Sequence, residues 1–224
     1  MQITYLELPA RELQAEKEYY SEVLGLPVKA SAVELKVQVG KTELVFTQAT
    51  PNFDGAYHFA FDIPENQFGA AKDWIASRQS LLQDVEGKDE FLSKTWNSHS
   101  IYFKDPAGNV LEFIARHTLE NASENSFDEG QILYVSEIGL PADDVINWAN
   151  GLCQMLGISA YKQEPNENFT PVGDDHGLLI IPHKDRIWIP NSGVPAKLLP
   201  VKVRVDVDGR KFEIRGFPYE VATL

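Results

Sequence analysis

The sequence predicts an α+β fold made of repeated βαβββ units whose curved sheets form cups, the second half being shorter and degenerate. Three observations point to it. Two stretches overlay without gaps, "YLELPARELQAEKEYYSEVLGL" from Tyr5 and "EIGLPADDVINWANGLCQMLGI" from Glu137, and both carry Leu-Pro-Ala followed by Leu-Gly at the same separation. Each helix-like stretch is followed by short strand-like runs bounded by turn residues. The polar, acidic, aperiodic stretch "TLENASENSFDEG", from Thr118 to Gly130, reads as a linker between residues 1–117 and 131–224.

The elements follow in chain order. The first strand ends at Pro9, and a helix of about four turns closes at Gly25, the expected left-handed cap. Leu13, Tyr20 and Leu24 recur at helical spacing and form its packing face. "AVELKVQV" and "TELVFTQ" complete the first unit. A second unit opens with "YHFAFDIP", continues through an amphipathic segment from about Glu65 to Arg78, with Phe68, Ala71 and Ile75 on one face, and ends with "SIYFKD" and "NVLEFIAR". The third carries Val145, Leu152 and Leu156 on its helix and Gly157 as cap. The last strands, "VKVRVDV" and "RKFEIRG", have no helix between them, so the fourth unit is truncated.

With 224 residues the chain suffices for one large domain or two small ones. Twenty basic against 33 acidic residues give a net charge of -13, which repels phosphate backbones and anionic membranes and argues against nucleic acid or membrane partners. The single cysteine, Cys153, sits in an apolar helical pattern and reads as inert packing in a reducing compartment. No apolar run approaches the ~18 residues of a membrane span, and the start lacks a secretory pattern. A soluble cytoplasmic protein is the expectation.

Candidate site residues come from strand alternation. Asp105-Pro106-Ala107-Gly108-Asn109 suits a hairpin loop with Gly108 left-handed, which sets Tyr102 opposite Glu112. Leu111 and Phe113 then share one face, and Val110, Glu112 and Ile114 the other. On "YHFAFDIP", Phe59, Phe61 and Ile63 face the helix and His58 and Ala60 face away; on the first strand Tyr5 and Glu7 face away. If all helices cover one side of a curved sheet, then Tyr5, Glu7, His58, Tyr102 and Glu112 line its concave side, where a carboxylate and an imidazole can hold a metal or move protons. The pattern equally allows a solvent-facing glutamate and a hydrogen-bonded histidine. His176, His183, Lys184 and Asp185 read as loop residues and Trp96 as a core or loop anchor; His117 faces the linker, and Arg186 is within reach of an anionic ligand.

"YHFAFDIPENQ" and especially "SIYFKDPAGNVLEFIAR" resemble the vicinal oxygen chelate superfamily of glyoxalases, bleomycin-resistance proteins and extradiol dioxygenases. The resemblance is strong over residues 1 to about 117 and weaker beyond. It implies that two units pair into a cup, here within 1–117, around a divalent iron, manganese, zinc or nickel ion. Matched by position, the implied ligands are His58 and Glu112, while the remaining histidine position falls on Tyr5, a poor ligand. Glu7, His99 or water are the substitutes, and Tyr5→His is expected to tighten binding. The activity implied is that of a metal-dependent lyase, isomerase or ring-cleaving dioxygenase acting on a small oxygen-rich molecule, with Tyr102 or Tyr5 as acid or orienting group. A metal-free binding protein of the bleomycin-resistance type is the alternative, and a module without ligand chemistry the third. A homodimer is compatible with this family, although the internal duplication can itself supply the pairing.

Overall fold

A computed structural model describes residues 1–224. Unit one comprises β1 (Gln2–Ala10), α1 (Leu13–Glu18), β2 (Val28–Ala30), β3 (Glu34–Val39) and β4 (Thr42–Gln48). Unit two comprises β5 (His58–Ile63), α2 (Phe68–Ala76), β6 (Phe91–Ser93), β7 (Ser98–Lys104) and β8 (Val110–Arg116). Unit three has β9 (Tyr134–Gly139), α3 (Val145–Leu156), β10 (Phe169–Asp174) and β11 (Gly177–Pro182); unit four retains only β12 (Val201–Val207), β13 (Arg210–Gly216) and β14 (Glu220–Thr223). Gly25 and Gly157 are left-handed, as expected of helix caps. The first helix changes form at Tyr19–Val23, where a π turn follows α1. The wider turn buries two consecutive tyrosines, with the Tyr20 hydroxyl donating to Asp105 at 3.1 Å and Gln79 donating to the Tyr19 hydroxyl at 2.7 Å.

Two seven-stranded sheets result, ordered β14-β13-β12-β1-β4-β3-β2 and β10-β11-β9-β5-β8-β7-β6. Units one and four therefore share a sheet, and units two and three share the other. Expected pairing of the first two units within 1–117 does not occur. The free edge of β1 is taken by β12, with Tyr5 opposite Arg204, and the free edge of β5 is taken by β9, with Ala60 opposite Glu137. The stretch 118–130 carries the chain from β8 to β9 and is held against the start of α2: Glu65 N donates to Asn121 Oδ1 at 3.0 Å, and Gln67 donates to the Asn125 carbonyl at 2.5 Å. It is a docked strap, not a free connector.

The three helices line one side of each sheet, and a single apolar cluster joins both sheets through Leu6, Leu8, Phe46, Phe59, Phe61, Phe103, Phe113, Tyr20 and Leu152. Thr42, fully buried, bridges the sheets: its hydroxyl donates to the Ile3 carbonyl at 2.7 Å and accepts from Val135 N at 3.1 Å. A smaller cluster, containing Tyr102, Val110, Tyr161, Leu178, Ile180, Trp188 and Ala196, covers the opposite, concave face of the second sheet. No helix is long and apolar enough to cross a membrane.

One acidic pair lies inside this packing. Glu16 on α1 is buried next to Asp105, which already accepts from Tyr20 and from the Asn109 side chain at 2.7 Å. Burial first, and then Asp105, push the Glu16 carboxyl above its ordinary value of 4.5. An acid whose folded-state pKa is raised costs stability as pH climbs above the unfolded value, because only the unfolded chain releases the proton freely. Glu16→Gln is therefore expected to raise the melting temperature at pH ~8 by a few degrees, on the order of 1 kcal/mol, and to leave it unchanged near pH ~4. Thermal unfolding at the two pH values measures the difference.

Candidate metal centre

The site grows from the middle of the second sheet. Ala60 on β5 has Glu112 opposite it on β8 and Glu137 opposite it on β9, so its methyl group leaves a floor between two carboxylates. His58, two residues earlier, faces the same side. His58 Nδ1 lies 3.0 Å from the Val110 carbonyl, which can only accept, so Nδ1 carries the hydrogen and Nε2 presents its lone pair. Nε2 is 3.5 Å from Glu112 Oε2, and the ligand atoms of His58, Glu112 and Glu137 all lie within 4.8 Å of one another. All three side chains are buried.

Burial lowers the His58 pKa to about 4, so at neutral pH the imidazole is neutral and its contact with Glu112 is not an ion pair. Glu112 is pushed upward by burial and then by the charge of Glu137; Glu137 is pushed upward by burial against the pull of Arg116. Arg116 has 0 % exposure and stands behind the site. It donates to Asp62 at 3.1 Å, to Ser136 Oγ at 3.0 Å and to Glu137. Burial opposes its charge, but Glu137, Asp62 and Glu112 outweigh that effect and keep it protonated. One nitrogen and two carboxylates form a compact donor set that suits a divalent manganese, iron, zinc or nickel ion. The donor set fits the implied metal.

The donors open into a cavity of about 400 Å³ lined by Phe91, Trp96, Tyr102, Phe169, Ile180 and Trp188 among others. The segment between β11 and β12 forms one wall of it, with the Trp188 ring 4.9 Å from that of His58. Gly139 makes this possible, because a Cβ there would lie 2.6 Å from Trp188 Cη2. Gly139→Ala is expected to push the indole aside, costing roughly 1–3 kcal/mol and altering tryptophan fluorescence, both read in one denaturation experiment.

Tyr102 lies opposite Glu112, as alternation predicts, and its phenol is driven well above its usual pKa by burial and then by Glu112, leaving it a neutral donor. Tyr5 and Glu7 are elsewhere. They belong to the first sheet, where Tyr5 donates to Glu7, Lys202 donates to Glu7 at 2.8 Å and Arg204 lies 4.5 Å from the Tyr5 ring centre. Units one and two do not pair, so neither residue reaches His58. His99 faces α2, against Phe68 and 2.7 Å from His117, and it also misses the cavity. The donor that sequence reasoning missed is Glu137. The gapless overlay had aligned it with Tyr5 and so held the signal. The position in unit three equivalent to Glu112 is Ile180, paired with Gly139 as Glu112 pairs with Ala60, so this unit supplies one donor only. Trp96 lines the cavity, as does Arg186, while His176 and His183 are exposed.

Cupped sheets with inward-facing donors between paired units define a class of proteins that enclose small ligands. Within it, the chain belongs to the Glyoxalase/Bleomycin resistance protein/Dioxygenase superfamily, whose model matches residues 2–113, half of the sequence. A Bacillus subtilis protein provisionally named a dioxygenase has the same fold, at 13% identity and a TM-score of 0.61, over 96% of this chain and 81% of its own. Half-length matches include the fosfomycin resistance protein FosX of Listeria monocytogenes, solved with Mn(II) (17% identity, TM-score 0.39, 49% of this chain and 86% of its own). Another is a lactoylglutathione lyase from Agrobacterium tumefaciens (22% identity, TM-score 0.36, 50% of this chain and 91% of its own). The comparison with curated proteins finds no significant match.

Proposed function

We propose that the protein is a metal-dependent enzyme of the glyoxalase and dioxygenase type, acting as a lyase, isomerase or ring-cleaving dioxygenase on a small oxygen-rich molecule. The observation that carries this reading is the convergence of His58, Glu112 and Glu137 at the base of one cavity. When bound, the ion would supply a Lewis-acid centre for adjacent substrate oxygens and for the negative charge that develops on them. The chain does the rest. The Val110 carbonyl fixes the His58 tautomer, Arg116 orients Glu137, and Trp188 packed against the His58 ring shields one side of it. Tyr102, protonated at all working pH values, donates a hydrogen bond to a substrate oxygen and orients it.

Metal binding requires both carboxylates ionised, and both hold their protons above the ordinary value of 4.5. Affinity is therefore expected to rise with pH, by at least about tenfold between pH ~6 and ~8, as measured by competition titration with a chelating dye. A flat profile would remove Glu112 and Glu137 from the ligand set. Elemental mass spectrometry of protein purified without chelator or a histidine tag is the primary test: near-stoichiometric manganese, iron, zinc or nickel supports the enzyme.

A second reading is a metal-free small-molecule binding protein. It is favoured by Arg116, which already compensates Glu137, and by the raised proton affinity of both carboxylates. Absence of metal after incubation with each ion would leave this reading in first place.

A further inference from the structure

We propose that Arg186 makes the cavity selective for a small aromatic carboxylate, binding the carboxylate at its guanidinium and turning the rest of the ligand toward His58, Glu112 and Glu137. The inference rests on the cavity being the ligand site proposed above, and it adds the class of ligand and its orientation.

Arg186 is the only lining residue with a permanent positive charge. Its guanidinium lies 4.6 Å from the Phe169 ring centre, is half-buried, and is perturbed only by burial, with no carboxylate close enough to act on it. Arg116, Arg204 and Arg215 are each committed to a carboxylate, and Arg78 and Arg210 to backbone carbonyls, whereas the Arg186 guanidinium faces the cavity lining with neither. The backbone holds it in place. Arg186 N donates to the His183 carbonyl at 3.3 Å, and its carbonyl accepts from Ala196 N at 2.8 Å. Loss of ordering freedom on binding is thereby reduced.

The walls specify the rest of the ligand. Trp96 and Phe169 stand nearly parallel, at 27°, and Phe91 and Trp188 add further ring surface, which suits a flat apolar body. A planar guanidinium matches a carboxylate in two hydrogen bonds, and one cation balances a monoanion better than a doubly charged phosphate. At the base the one cation, Arg116, is already committed to Asp62 and Glu137, which leaves the Arg186 end as the place for the anion.

The experiment is a titration with benzoate and, as its uncharged counterpart, benzyl alcohol, followed by tryptophan fluorescence and calorimetry. Native protein, Arg186→Gln and Arg186→Lys are compared, each after chelator treatment and again with manganese added. The guanidinium makes no structural hydrogen bond, and circular dichroism verifies that both variants fold. Native protein should prefer benzoate, Arg186→Gln should bind it at least about tenfold more weakly with benzyl alcohol unchanged, and Arg186→Lys should recover part of the loss. Equal benzoate binding by native protein and Arg186→Gln, no preference over benzyl alcohol, or no saturable binding of either compound overturns the proposal. If manganese never binds but the Arg186-dependent preference persists, the metal reading falls and this one stands. If manganese binds without that preference, the reverse holds.

Discussion

Glu137→Ala protein is expected to leave purification without stoichiometric metal, and to bind added manganese or zinc at least about 100-fold more weakly than the native chain. Three protein donors become two, and the ligand taken away is the one supplied by the partner unit. Glu112→Ala should behave in the same way. Glu137→Gln keeps the volume and an acceptor for Arg116, so it separates loss of a ligand from loss of structure. Tyr5→His should leave metal content unchanged, because Tyr5 lies in the other sheet beside Lys202 and Arg204. Retention of metal by both glutamate variants would refute the centre.

Arg116→Leu should be the most destabilising single change near the site, by about 3–5 kcal/mol, because it strands Asp62 and Glu137 as buried carboxylates without their cation. Urea denaturation measures the loss. The penalty should shrink as pH is lowered, since burial already raises the Asp62 pKa to about 6 and protonation then relieves the unpaired charge. Manganese should restore part of the stability by replacing the positive charge next to Glu137, while Asp62 stays uncompensated. A loss below 1 kcal/mol, on the scale of an exposed pair, would mean that water replaces the guanidinium.

Local features were legible in the sequence because they depend on residues a few positions apart. The Asp105–Asn109 turn, with Gly108 at φ 83, and the pairing of Tyr102 with Glu112 follow from turn chemistry and a period of two. The helix faces of α2 and α3 follow from a period near 3.6. Which unit pairs with which was not legible. Four first strands, β1, β5, β9 and β12, each offer a free edge with similar alternation, and the choice is made by packing between distant segments. That ambiguity placed the third ligand position at Tyr5, with Glu7 as its substitute, instead of at Glu137. Arg116 carries no local signal, because its partners Asp62 and Glu137 lie on other strands, and the segment carrying Arg186 reads as a loop in the sequence although it folds over the cavity.

The exchange of strands between the two halves also governs how the chain is made. β1 is made well before the strand it pairs with, β12: Thr4 meets Arg204 across 200 positions. Until units three and four have been made, β1 and β5 each present an open edge, a state prone to pairing with the wrong strand. Pairing between segments so far apart in sequence is intrinsically slow. A chain cleaved between residues 118 and 130 would yield two fragments, one with four strands of each sheet and the other with three, and neither would complete a sheet without the other.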